Sequence, residues 1–265
     1  MHRIRLFVAL LLLSSSSNGL SNVPFDLIES HAPRLRFDSK FGQDSGLDSK
    51  CFPSSAHDYF EQRKTGTKPV NLCNQDYNTI QRGEVPAYYM AKECSPNVYV
   101  IRYWYFYAWQ SACATFIKKF GHHPADWESF VVKIEDGQLS RAAYVQHGDW
   151  YTKKFGGFET AEGLHPIVYA GKNSHGSYHS AGGIGGCLYW DDFRKPGEKD
   201  MHFDTWRQLI EIKRGEDAPP WMNCRGNQCF DGIGHPIEQT GDLCNMKGCR
   251  DQGCQRSDLK ESEQF

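Results

Sequence analysis

The stretch GHHPADWESF, residues 121–130, brings together side chains that could bind a metal ion or carry a proton. Two histidines precede Asp126 and Glu128, and the apolar sequence FVVKI follows. If a strand begins at Asp126, both carboxylates and Phe130 point to one face, because side chains alternate along a strand. Two acids at the end of a core-facing column require a cation or several hydrogen-bond donors, since burying an isolated carboxylate is costly.

The spacing of His123, Asp126 and Glu128 predicts a site for a divalent cation. An imidazole and two carboxylates suit Ca²⁺, Mg²⁺, Mn²⁺ or Zn²⁺, with water completing the coordination shell. The alternative is a salt-bridged strand entry, with His122 and His123 exposed in a loop. Spacing alone leaves both interpretations open.

Further histidines fall at places where binding groups often lie. His147 ends a strand-like segment in VQHGDW, and His175 lies in the polar, glycine-rich sequence YAGKNSHGSYHSAGG. Each histidine taken alone is typical of a protein surface. Loops on a rigid β scaffold commonly carry binding groups, so His122, His147 and His175 are candidate additional site residues at one rim.

The elements that must position these residues have a period of two. Four segments are rich in β-branched and aromatic residues and are separated by turn sequences: VYVIRYWYFYAW (98–109), ESFVVKIE (128–135), LSRAAYVQH (139–147) and HPIVYAG (165–171). This pattern predicts a mainly β fold, an antiparallel β-sandwich. In FDTWRQLIEIK (203–213) the apolar residues have helical spacing behind a cap at Asp204, which predicts a peripheral helix.

The start of the sequence indicates secretion. Arg3 and Arg5 precede the apolar run LFVALLLL and the small residues SSSSNGLS, a pattern typical of a secretory signal peptide over residues 1–19. The β-sandwich domain is then expected over residues 20–215, followed by a cysteine-rich segment over 216–265. No apolar run approaches the roughly 20 residues of a transmembrane helix, so an extracellular location without a transmembrane segment is predicted.

The ten cysteines favour structural disulfides over zinc, because secreted chains oxidise their thiols. Five cysteines lie in the body and five in the tail. If all ten pair within the chain, at least one disulfide must join tail to body. The 30 basic and 32 acidic residues contain no long basic run, which argues against nucleic acid as a partner.

The ordered motifs resemble the vacuolar protein sorting-associated protein 62-like family. The resemblance covers roughly residues 31–195 and rests on APRLRFDSK, CFPSSAHDYFE, GEVPAYY, IRYWYFYAW, GHHPADWESFVVKI, VQHGDW and HPIVYAGKNSHGSY. A more distant resemblance is to the necrosis-inducing proteins, which are secreted cytolysins with a G-H-R-H-D-W-E motif and a later S-x-x-G-H-G-G-Y motif.

The resemblance to the cytolysins implies a β-sandwich with a divalent cation at a membrane-facing rim. By position, His123, Asp126 and Glu128 match the ligands of the cytolysin motif, and His175 matches the later histidine. The cytolysins take a further aspartate from upstream, whereas this chain has none between residues 103 and 125. The resemblance therefore implies weaker cation binding, or a shell completed by His122, His147 or His175.

Three classes of function stay open. The first is a binding protein or cytolysin whose cation and aromatic side chains, such as Tyr105, Tyr107 and Trp109, engage a glycan or a membrane lipid head group. An aromatic run of this kind is more often part of the core than a binding surface. The second is a metal-dependent hydrolase, in which Glu128 or a histidine acts as general base. The third is a structural extracellular protein. The sequence contains no nucleophile motif such as G-x-S-x-G, so the first class is favoured over an enzyme.

Overall fold

The computed structural model describes most of the β-rich body of the chain. The described residues are 22–39, 51–110, 113–114, 119–120, 122–146, 149–172, 174–183, 194–197, 200–223, 235–236 and 243–246. The predicted signal peptide, His147 and most of the cysteine-rich tail lie outside them.

Strands dominate the described part of the chain. They are β1 (Arg34–Arg36), β2 (Ala87–Ser95), β3 (Val98–Gln110), β4 (Cys113–Ala114), β5 (Lys119–Phe120), β6 (His123–Glu135), β7 (Gln138–Gln146), β8 (Asp149–Lys154), β9 (Thr160–Ala161), β10 (His165–Ala170), β11 (Ser177–Tyr178), β12 (His202–Asp204) and β13 (Leu209–Glu211). Three short helices accompany them: α1 (Phe25–Ser30), α2 (Ala56–Lys64) and α3 (Tyr77–Gln81). The prediction of a mainly β chain is confirmed.

The larger sheet has six strands in the order β13-β2-β3-β6-β7-β8. Its centre is the long antiparallel pair β3 and β6, of 13 residues each. These strands are apolar and aromatic on both faces, and most of their side chains are buried, which is the pattern of a central strand. The described residues of the four segments that the sequence assigns to strands lie in β3, β6, β7 and β10, except for Gly171.

The second sheet follows the order β11-β10-β1-β12, with β9 pairing to β10. Buried hydrogen bonds join this layer to the larger sheet. The Ser177 hydroxyl donates to the Ser129 carbonyl at 3.2 Å, and the Gln146 amide donates to the Ser177 carbonyl at 2.9 Å. The two layers agree with a β-sandwich, but both sheets are mixed, because β1–β10 and β13–β2 are parallel pairs.

The helix predicted for residues 203–213 is wrong. This segment forms β12, a short 3-10 turn (Thr205–Arg207) and β13. Phe203 pairs with Leu35 and is buried, while β13 adds a parallel edge to β2. Pairing with two existing strands therefore overrides the local helical spacing of the apolar residues, and the peripheral helices lie elsewhere.

Two disulfides connect the described residues. Cys51 pairs with Cys73, and Cys94 on β2 pairs with Cys244 across a sequence separation of 150 residues. The second bond confirms the predicted connection of tail to body. The described helices include none with the length and apolar character needed to cross a membrane.

Candidate functional site

The part of the motif GHHPADWESF from His123 onward forms the start of β6, where this strand pairs with the end of β3. Asp126 lies opposite Tyr107, and Glu128 lies opposite Tyr105. Ala125 directly precedes Asp126 and has φ +56, a left-handed conformation that costs an alanine about 1 to 3 kcal/mol. Strain of this kind is often found at functional sites, so it draws attention to this end of the sheet.

The Asp126 carboxylate lies between two imidazoles although it is only 2% exposed. The Nδ1 atom of His175 is 2.7 Å from Asp126 Oδ2, and the Nε2 atom of His123 is 3.7 Å from Asp126 Oδ1. The His175 ring also stacks on Tyr107, with ring centroids 3.8 Å apart and planes 5° from parallel. His175 lies in a loop, and its own backbone has the left-handed conformation, with φ +60.

Glu128 lies on the same face as Asp126, and its charge acts on a buried guanidinium, that of Arg102 on the neighbouring strand β3. Arg102 donates from Nε and Nη2 to the Ser129 hydroxyl at 3.1 Å and 2.7 Å. Burial lowers the pKa of Arg102 to about 9, and the negative charge of Glu128 acts in the opposite direction. Arg102 therefore stays positively charged at neutral pH and partly compensates the buried Glu128 carboxylate.

The structure brings some predicted site residues together and separates others. Asp126 and Glu128 share one strand face, as predicted, and His175 joins Asp126. His122 is exposed, and its ring lies 5.8 Å from that of Trp109. His147 lies outside the described residues.

The interpretation in which Tyr105 and Tyr107 engage a ligand is wrong, and the alternative that the aromatic run belongs to the core holds for these two residues. Both side chains are 0% exposed and belong to the core. Burial raises the pKa of both hydroxyls well above the ordinary tyrosine value. Trp109, in contrast, is only partly buried and lies beside the exposed His122, so these two residues form the accessible aromatic surface of the rim.

Gln110 is a site residue that the sequence interpretation missed. Its Oε1 atom is 3.1 Å from His123 Nε2, because the two residues face each other across β3 and β6. The signal was available in principle, since the strand register pairs these two positions. An amide has no titratable group, however, and a search for metal-ligating acids and histidines passes over it.

The donor set at this rim fits a hard cation only in part. Among the described residues, no three His, Cys, Asp or Glu side chains are grouped closely enough to hold a metal ion. His123 Nε2 nevertheless faces two oxygen atoms, Asp126 Oδ1 and Gln110 Oε1. Carboxylate and amide oxygens suit Ca²⁺ and Mg²⁺. A cation would therefore be held by His123, Asp126 and Gln110, while the ligand role of Glu128 stays a prediction.

Two buried donors near Asp126 have no hydrogen-bond partner within the described ranges. They are the Tyr107 hydroxyl and the Trp109 Nε1 group, which lie two positions apart on β3. The charges of Glu128 and Asp126 add to the effect of burial on the pKa of Tyr107, which places both carboxylates near its hydroxyl. Buried donors without a partner are uncommon and costly, and a polar group bound at the rim would satisfy the donor of the partly exposed Trp109.

Comparison with known proteins gives distant structural similarities. No family model matches the chain, so its resemblance to the vacuolar protein sorting-associated protein 62-like family stays a prediction. No curated protein matches it either.

Among solved structures, the chain is similar to one described as NLPPya in complex with glucosamine, with 14% identity and a TM-score of 0.44, covering 81% of this chain and 86% of that one. A second, described as a toxin fold for microbial attack and plant defense, has 13% identity, a TM-score of 0.46 and the same coverage. Necrosis and ethylene inducing protein 2 from the causal agent of cocoa's witches' broom disease has 17% identity and a TM-score of 0.37, covering 70% and 79%. All three TM-scores are below 0.5, so these similarities do not support a statement about function.

Proposed function

We propose that the protein is a secreted binding protein whose rim around Asp126 holds a divalent cation and engages a glycan or a membrane lipid head group. The observation that carries this proposal is a carboxylate, Asp126, that is nearly buried at a strand end near the partly exposed Trp109, whose Nε1 donor has no partner in the described structure. Such a group of polar atoms suits a polar ligand better than a closed core.

The chemistry around Asp126 supports a cation as part of the site. The His123 Nε2 atom lies 3.7 Å from Asp126 Oδ1 and 3.1 Å from Gln110 Oε1, so one nitrogen and two oxygen donors are available around this histidine. A bound divalent cation would supply coordination positions for ligand hydroxyls. The protein groups would hold and orient the ligand. Because the site carries little negative charge, we expect its affinity for a cation to be weak.

The accessible aromatic surface of Trp109 and His122 supports a sugar or head group as the ligand. An indole has an apolar face and a polar Nε1–H group, so it can pack on a sugar ring and donate to a hydroxyl. Both rings lie at the same strand end as Asp126. If the ligand is a lipid head group, the proposal extends to membrane damage, which leakage from vesicles bearing that head group would detect.

An extracellular location agrees with the disulfides of the chain. Cys51–Cys73 and Cys94–Cys244 are structural cross-links of the kind that persist in oxidising compartments. The signal-peptide pattern at residues 1–19 supports the same location.

A metal-dependent hydrolase is the second candidate function. The hydrogen bond between Asp126 and His175 is the arrangement by which a carboxylate orients an imidazole for proton transfer. The His175 side chain is only 1% exposed, however, and Tyr107 covers one face of its ring. This geometry favours a supporting role for His175 over direct contact with a substrate.

The test is binding of the secreted protein to glycan and lipid arrays, with and without a chelator. The proposal expects saturable binding that the chelator abolishes, with no product released. Trp109→Ala should weaken binding at least tenfold. Trp206→Ala is the matched control, because Trp206 is another partly buried tryptophan with a histidine ring, that of His165, beside it, but lies outside the rim. Product release would favour the hydrolase, and binding that is absent or insensitive to Trp109→Ala would contradict the proposal.

A further inference from the structure

Two adjacent basic residues, Lys213 and Arg214, lie on the loop that joins the β-rich body to the tail. The loop begins after β13 and leads into a single 3-10 turn, Gly215–Asp217. Arg214 and every residue of this turn are exposed. Exposed loops are the preferred sites of proteolytic cleavage, so an endoprotease has access to this part of the chain.

The backbone at this pair suits the active site of an endoprotease, which binds the chain before the cleaved bond in an extended form. Arg214 has φ −113 and ψ 168, which is an extended conformation. Gly215 has φ +70, and a Cβ added there would meet no described atom within 4 Å beyond its chain neighbours. The space around the Arg214–Gly215 peptide bond is therefore open.

Buried residues hold the loop at both ends. Before the basic pair, Ile212 is buried, and its backbone N–H donates to the Tyr89 carbonyl at 2.8 Å. After the 3-10 turn, Trp221 and Met222 are buried in the main core. A cut between these anchors leaves both new chain ends attached to folded structure.

The chain has four other pairs of adjacent basic residues, and each lies in a different setting. They are Arg63 and Lys64, Lys118 and Lys119, Lys153 and Lys154, and Arg194 and Lys195. The first pair ends the helix α2, and the third lies in β8, where pairing with β7 holds it in the sheet. Of the second pair, Lys119 begins β5 and Lys118 lies outside the described residues. The fourth pair precedes Pro196, and a proline after the bond hinders most endoproteases.

The order of the two residues also distinguishes this pair. Lys213 and Arg214 are the only pair of the five in which an arginine is second. An endoprotease that cuts after paired basic residues binds the arginine through carboxylates, and the guanidinium matches a carboxylate with two parallel hydrogen bonds. The sequence and the exposed, extended backbone therefore favour the same peptide bond.

A cut at this bond would not release the tail from the molecule. Cys94 on β2 lies before the loop and Cys244 lies after it, and their disulfide joins the two parts of the chain. Leu243, next to Cys244, is buried in the main core and also holds the tail. The product is therefore a two-chain protein.

We propose that the Arg214–Gly215 peptide bond is a processing site for an endoprotease of the secretory pathway that is specific for paired basic residues. Water adds across this one bond, so Arg214 gains a carboxylate and Gly215 gains an amino group. The mature form is then two chains linked by Cys94–Cys244. The proposal rests on the secretory location in the proposed function and is independent of the cation rim.

The test combines two sources of the full chain: chain secreted by eukaryotic cells, and purified chain treated with a purified kexin-type endoprotease. Electrophoresis should show one band without reductant and two bands with it, and N-terminal sequencing of the smaller band should begin at Gly215. Lys213→Gln/Arg214→Gln should give one band under both conditions. Arg214→Lys keeps the charge but lacks the guanidinium, so the purified protease should cut it at least tenfold more slowly.

The control is Lys64→Gln, which removes an exposed lysine from the pair at the end of α2 and should be cut as the wild type is. An uncut wild type from either source, preferred cutting at any of the other four pairs, or equal cutting of the double variant would overturn the proposal. Retention of the uncut chain inside the cells would contradict the secretory location and this proposal with it. Asp126→Asn should be cut as the wild type is, which separates this outcome from failure of the cation rim.

Discussion

The Nδ1 atom of His175 lies 2.7 Å from Oδ2 of Asp126, although 49 positions separate the two residues in the chain. This contact fixes the loop before β11 against the start of β6, so it links the second sheet to the larger one. The stacking of Tyr107 on the same imidazole holds His175 from a second direction. The rim is thus a packed, hydrogen-bonded part of the fold.

Removal of the His175 side chain is expected to destabilise the protein strongly. His175→Ala removes a hydrogen-bond partner of the buried Asp126 carboxylate and leaves a cavity beside Tyr107. The free energy of unfolding should therefore fall by about 3 kcal/mol. Urea denaturation measures this change. His57→Ala is the control, because His57 is exposed on α2, and it should cost less than about 1 kcal/mol. A similar small cost for His175→Ala would contradict the structural role of this contact.

Glu128 and Arg102 are expected to be coupled in stability. Glu128→Gln removes a negative charge that favours the charged form of the buried Arg102, and Arg102→Met removes a positive charge that acts on the Glu128 carboxylate. Each single change should cost about 3 kcal/mol, whereas the double variant should cost less than the sum by about 1 to 3 kcal/mol. A double-mutant cycle in urea gives the coupling. Additive effects would mean that the two charges do not compensate each other.

The protein is expected to lose stability as the pH falls below about 6.5, in part because of His31. Burial lowers the pKa of His31 from its ordinary value of 6.5, and the Leu27 carbonyl opposes this only partly. Between the two pKa values the unfolded chain binds a proton that the folded chain does not, so acid favours unfolding there. The contribution is complete above pH 6.5 and is lost as the pH falls through the lowered value.

The measurement is the free energy of unfolding between pH 7.5 and 5 for the wild type and His31→Gln. The slope with pH should be smaller for the variant. The exposed position His57 provides the matched control, His57→Gln. If His31→Gln leaves the slope unchanged, the buried imidazole is not the source of the pH dependence.

The two described disulfides are expected to differ in their effect on stability. The Cys94–Cys244 bond closes a separation of 150 residues, against 22 for Cys51–Cys73. Replacing both cysteines of the longer link by alanine should cost about 2 to 5 kcal/mol, and about 1 to 2 kcal/mol more than the same change in the shorter link. Denaturation of the two double variants under non-reducing conditions tests this order. A larger cost for the shorter link would contradict it.

The sequence predicts the central strands well because their pattern is strong. The aromatic and β-branched segments around Tyr103 and Val131 have no comparable helical alternative, and the alternation after Asp126 gives the correct face for both carboxylates. The segment after Asp204 is predicted wrongly because its conformation depends on strands far away in the chain. β13 pairs with β2, and no local pattern records that partner.

The candidate site is likewise predicted only where its residues lie close together in the sequence. The sequence identifies His123, Asp126 and Glu128 because they lie close together in one motif. It cannot show that Arg102 approaches Glu128, or that Gln110 faces His123, because these relations depend on strand register and packing. The burial of Tyr105 and Tyr107 is likewise a consequence of the second layer, which the aromatic pattern alone does not locate.

The most direct test of the proposed function is calorimetric titration of the metal-stripped protein with Ca²⁺, Mg²⁺, Mn²⁺ and Zn²⁺. Asp126→Asn keeps the size of the side chain but removes its charge, so the wild type should bind at least one ion and the variant should bind it at least tenfold more weakly. The control is Asp136→Asn, an exposed turn position at the far end of β6, where φ is +50 and asparagine is well tolerated. This control should bind as the wild type does. Negligible heats for the wild type with all four ions, or equal affinity in the wild type and Asp126→Asn, would contradict the cation site.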